Sequence, residues 1–109
     1  MRAVLLALLL SGCAVAPYWT PANREAVLNP RVLEVEVLPA KCRAHSTWAC
    51  YVPEEFTIYI SRQVPPLPGL RECAEAHERK HAAGWTHETG RKVFAVDCGD
   101  GTLWQWPIR

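Results

Sequence analysis

Residues 70–87, LRECAEAHERKHAAGWTH, carry the pattern around which the rest of the chain is organised. The prolines of residues 65–68 end any regular element before it. Glu72 and Glu75 then fall in the first turns of a helix expected from Leu70, where acids suit the positive end of the dipole. At about 100° per residue, Leu70, Cys73, Ala74, His77 and His81 share one face, with Glu72, Glu75 and Arg79 largely opposite. Gly84 lacks a Cβ, so the chain can turn sharply there and bring His87 back. His77 and His81 lie at i and i+4, about 6 Å apart along the axis. Two imidazoles so placed can share one Zn²⁺, and His87 can supply a third nitrogen. Glu78 follows the first ligand and can accept a proton from a water that the metal activates.

His77-Glu78-x-x-His81-x-x-Gly84-x-x-His87 resembles the extended zinc signature of the metzincin metallopeptidases, and its first five residues resemble the general zincin signature. The resemblance spans these eleven residues. It implies one Zn²⁺ on His77, His81 and His87, Glu78 as general base, and a peptide substrate. It also implies a substrate-binding edge strand before the helix, and residues 56–62 stand in that place. Two features depart from the family pattern. No methionine follows the motif, since Met1 is the only one, and Arg79 and Lys80 put charge between Glu78 and His81. A closed structural site on Cys73, His77, His81 and Cys98 is a competing arrangement.

Outward from the helix, residues 31–38 alternate, with Leu33, Val35 and Val37 on one face. Residues 46–52 read as a second strand. In residues 56–62, Phe56, Ile58 and Ile60 alternate with Thr57, Tyr59 and Ser61. Residues 92–97 and 102–106 read as a hairpin around Cys98-Gly-Asp-Gly101. The expected fold is α+β: a small antiparallel sheet under one main helix. Cys42, Cys50, Cys73 and Cys98 allow three pairings; Cys42–Cys50 and Cys73–Cys98 are expected, the first closing a short loop and the second tying the helix to the hairpin.

Residues 1–12 combine Arg2 with an apolar run from Ala3 to Leu10 and read as an export signal. Leu10-Ser11-Gly12-Cys13 resembles a bacterial lipobox. That likeness implies cleavage before Cys13, lipidation of its sulfur and a membrane anchor, and Ala14 implies outer-membrane sorting in a diderm cell, on the periplasmic face. Proline-containing residues 13–30 read as a tether, and residues 31–109 as a single domain. The 109 residues carry 12 Lys+Arg against 11 Asp+Glu. So even a balance argues against nucleic acid as partner. No apolar run is long enough to span a bilayer. The expected function is a lipid-anchored, exported zinc metallopeptidase-like hydrolase acting on a peptide or envelope protein. The alternative is a non-enzymatic envelope lipoprotein, an accessory or partner-binding module with a structural or vestigial zinc site.

Overall fold

The computed structural model describes residues 17–44, 46–88 and 95–106. The expected signal peptide, Cys13, His45 and residues 92–94 of the expected hairpin lie outside them. Strand β1 (Thr20–Pro21) pairs with a distant segment described below, and β2 (Arg31–Val35) leads into helix α1 (Ala40–Arg43). Strand β3 (Ala49–Val52), a 3-10 turn over Pro53–Glu55 and strand β4 (Thr57–Ser61) follow. β4 is central: Thr57, Ile58, Ile60 and Ser61 are all buried, so both of its faces are covered. Burying Ile58 and Ile60 contributes about 1.5–3 kcal/mol each. Phe56, expected to open this strand facing inward, is exposed and left-handed at φ 52°. Pro53 sets a turn just before it, and the Phe56 N–H donates to the Pro53 carbonyl to close that turn.

The sheet order is β2-β4-β3, antiparallel between β3 and β4 but parallel between β2 and β4. The sheet is therefore mixed, not wholly antiparallel. Between β2 and β4 the chain reverses twice, through α1 and through the β3–β4 hairpin, so the two strands run the same way. One sheet face presents Val32, Ala49, Ile58 and Ile60 to Ala74 of helix α2 (Leu70–Ala82). The other packs Val35, Cys50, Val52 and Tyr59 against Leu38 and Cys42. Val37 is exposed because β2 ends at Val35 and Leu38 takes the buried place.

The cysteines resolve into Cys42–Cys50 and Cys73–Cys98, with Cα atoms 5.9 and 4.7 Å apart. The first bridge staples α1 to β3. The second staples α2 to the turn between β6 (Ala95–Asp97) and β7 (Leu103–Gln105), an antiparallel hairpin. In so small a core, bridges of about 2–4 kcal/mol each are a large share of the stability.

The segment between Pro17 and Pro30 lies against the domain. β1 pairs with β5 (Trp85–Thr86) just after α2. The carbonyls at and just beyond the end of α2 run short of helical partners, and this segment supplies further donors. Val27 N–H donates to Ala82 O at 2.6 Å, Ala22 N–H to Gly84 O at 2.7 Å, and the Arg24 guanidinium to His81 O at 2.9 Å.

The hairpin turn sits so close to α2 that a Cβ on Gly99 would stand 2.6 Å from Lys80 Cβ, and Gly99 is left-handed at φ +81°. Gly99→Ala is therefore expected to cost about 1–3 kcal/mol through strain and forced separation, read from urea unfolding midpoints. A change under about 0.5 kcal/mol, usual for open surface, would place the turn away from the helix in solution.

Candidate metal centre

Helix α2 sets His77 and His81 one turn apart, and their ring centroids are 5.0 Å from each other. After α2 the chain turns at Gly84, whose φ of +100° is a conformation that glycine takes without a Cβ penalty. β5 then carries it back beside β1, and His87 follows at once. Its ring lies 5.0 Å from His77 and 4.9 Å from His81.

Each imidazole is held from behind by a backbone carbonyl. His77 Nδ1 meets Asp97 O at 2.6 Å, His81 Nδ1 meets Trp85 O at 3.0 Å, and His87 Nδ1 meets Glu88 O at 2.9 Å. A carbonyl only accepts, so each Nδ1 carries a proton, and in a neutral imidazole Nε2 then keeps its lone pair. The Nε2 atoms of His77 and His87 face each other at 3.0 Å, and as neutral rings they would be two acceptors with no proton between them. A cation between them resolves that conflict. Two nitrogens bound at 2.0–2.1 Å to a tetrahedral ion stand about 3.3 Å apart. The donor atoms of all three histidines lie within 4.8 Å of one another, close enough to hold a metal ion. The carbonyl-backed histidine is also the arrangement that fixes tautomer and ring orientation in metal sites.

Glu78 projects beside this trio, with Oε2 4.0 Å from His77 Nε2. It is buried, and its carboxyl accepts a backbone hydrogen bond from Tyr51 of β3. His77, Glu78, His81 and His87 line one cavity of 270 Å³, with Tyr51 and Arg24. A second cavity of 420 Å³ flanks His77 and Glu78 and is walled by Trp48, Ala49, Ala74 and Val96. Strand β3 borders both. The strand expected to lie along a substrate, residues 56–62, contains β4, whose two edges are taken by β2 and β3. Among the described residues β3 pairs only with β4, so the open edge at the cavities belongs to β3.

Cys73 and Cys98 are bonded to each other, which removes the closed cysteine–histidine site as an arrangement of this fold. Two side chains at the centre went unrecognised in the sequence. The Trp19 ring lies 4.9–5.0 Å from all three imidazoles, and Tyr18 stacks on His87 at 4.6 Å. Their only signal was an aromatic pair in an otherwise tether-like stretch. No family model matches the chain, and no curated protein or solved structure was found to be similar to it.

Burial depresses the His77 pKa below its ordinary value, opposed by the Asp97 carbonyl. Burial, with His77 next to it, pushes His81 down to about 3. Burial raises Glu78 to about 8, against the Tyr51 N–H. In the metal-free protein His81 stays neutral when folded but takes up a proton below about pH 6.5 when unfolded, and the lowered His77 acts in the same direction, so acid favours unfolding. Glu78 holds its proton in the fold up to about 8 but loses it above about 4.5 when unfolded, so alkali favours unfolding. Between about pH 4.5 and 6.5 His81 and Glu78 offset each other, and the lowered His77 leaves a net loss toward acid. Above about pH 6.5 Glu78 alone acts, which puts the stability maximum near about pH 6.5. Urea midpoints from pH 4 to 9 with chelator present would trace this, and Glu78→Gln should flatten the alkaline limb. A wild type whose stability does not fall between pH 6.5 and 9 would mean that the Glu78 carboxyl is solvated.

Proposed function

We propose that this protein is an exported, lipid-anchored zinc-dependent hydrolase of metzincin-like type that cleaves peptides. The observation that carries the reading is the convergence of three carbonyl-backed imidazoles beside a buried glutamate, all open to one cavity. Neutral imidazole is a favoured zinc donor, and three protein ligands leave a fourth position for chemistry. Zinc bound there would polarise a peptide carbonyl and make a water acidic enough to react near neutral pH.

Glu78 supplies the proton transfers. Burial keeps it protonated without a cation, and a divalent charge on the neighbouring histidines would draw its pKa back down. The carboxylate then accepts the water proton and returns it to the departing amine. The Tyr51 N–H orients it for both steps. A peptide substrate is expected to lie along the open edge of β3, where backbone pairing gives affinity without demanding sequence. Export and anchoring rest on the leader and Cys13, and the two disulfides suit an oxidising compartment.

The test uses the chain from Ala14 onward as wild type, His81→Ala and Glu78→Gln, with zinc measured per chain and hydrolysis measured on unstructured peptides. One zinc is expected in wild type and Glu78→Gln, with loss in His81→Ala. Glu78→Gln should lower hydrolysis by about 10²–10⁴-fold, the usual scale for a general base. Zinc in none of the three, or full activity in Glu78→Gln, overturns the proposal. Zinc without any peptide cleavage would pass the reading to a binding lipoprotein.

A further inference from the structure

We infer that Trp19 is a positioning residue that forms the back wall of the metal centre, so that the segment before the domain completes a site whose ligands all lie after residue 76. The Trp19 ring centroid stands 4.9 Å from His77, 5.0 Å from His81 and 4.9 Å from His87. The three imidazoles are themselves 4.9–5.0 Å apart, so the indole caps their triangle evenly.

It caps the side away from the chemistry. At about 100° per residue, Glu78 and Lys80 project on opposite flanks of the His77–His81 stripe. Glu78 faces the cavity. Trp19 packs on the Lys80 flank, because a Cβ on Gly99 would meet both Lys80 Cβ and, at 3.4 Å, Trp19 Cζ2. Trp19 is absent from the cavity lining, so it leaves the cavity side of the three histidines uncovered. The indole N–H donates to Asp97 Oδ1 at 3.0 Å, and the same carboxylate oxygen accepts from Gly99 N–H at 2.8 Å. Asp97 also holds His77 through its carbonyl, at 2.6 Å. One residue therefore orients both a ligand and the wall behind it, and the adjoining Cys98 is bridged to α2 through Cys73.

His87 depends most on this wall. It lies beyond β5 rather than on the helix, and Tyr18 stacks on it at an interplanar angle of 17°. Edge-to-face packing against Trp19 and stacking on Tyr18 restrict the ring to an orientation in which Nε2 points at its partners. Removing the indole frees the imidazoles to rotate and admits water behind them, the kind of outer-layer loss that lowers metal affinity about 10–100-fold.

The proposal rests on the zinc reading above, and its test separates the two. Zinc affinity is measured by competition with a chromogenic chelator for wild type, Trp19→Ala and Trp19→Phe, with Co²⁺ spectra reporting ligand geometry. Trp19→Ala is expected to lose about 10–100-fold in zinc affinity and to change its Co²⁺ spectrum, while Trp19→Phe recovers most of both. In wild type labelled with 5-fluorotryptophan, the resonance assigned by its loss in Trp19→Phe should shift in step with zinc. That measurement stands even if Trp19→Ala does not fold. Wild-type affinity and spectrum in Trp19→Ala, or a Trp19 resonance indifferent to zinc, overturns the role of Trp19 alone. A wild type that binds no zinc overturns the zinc reading and this one with it.

Discussion

The hydrogen bond from His77 Nδ1 to the Asp97 carbonyl joins the parts of this molecule that surround the three histidines. It links the main helix to the C-terminal hairpin, and the Asp97 side chain extends the link to Trp19. It also decides which nitrogen of His77 carries the proton, and so which one is free to bind a cation. The Cys73–Cys98 bridge sits one helical turn before His77 on one side and next to Asp97 on the other, which keeps the two elements in register. A helix of 13 residues on a small sheet would otherwise hold such a contact weakly.

Small size explains why so much is tied to one point. Most of the buried apolar groups form two modest clusters, one on each face of the β2-β4-β3 sheet. Neither reaches the C-terminal end of α2, where His81 and the turn to His87 lie. That end is completed by hydrogen bonds from Arg24, Val27 and Ala22 and by the aromatic cover of Tyr18 and Trp19. Residues that read as a tether are thus part of the scaffold, and the histidine site is assembled from both ends of the described chain.

Glu78 is placed by the same economy. It faces Tyr51 and the cavity instead of solvent, so it exchanges hydration for one backbone hydrogen bond and an elevated pKa. Such a group is costly in a structural role and useful in proton transfer. The charged neighbours Arg79 and Lys80 do not disturb it. Arg79 pairs with Glu75 on the exposed flank at 3.0 Å, and Lys80 lies over the Trp85 ring at 4.3 Å.

The sequence alone determined the local features: the helix from Leu70, the turn at Gly84, a strand around Ile58 and Ile60, the hairpin at Cys98–Gly101 and the phase of His77, Glu78, His81 and His87. These follow from helix and strand periodicity and from glycine and proline chemistry, which act over a few residues. It favoured the disulfide pairing without deciding among three. The tertiary structure decided which strand is the open edge, that β2 runs parallel to β4, that Phe56 points outward, and that Trp19 stands behind the histidines. Each of those depends on contacts between residues far apart in the chain, such as Trp19 with Asp97, and no short-range pattern encodes them.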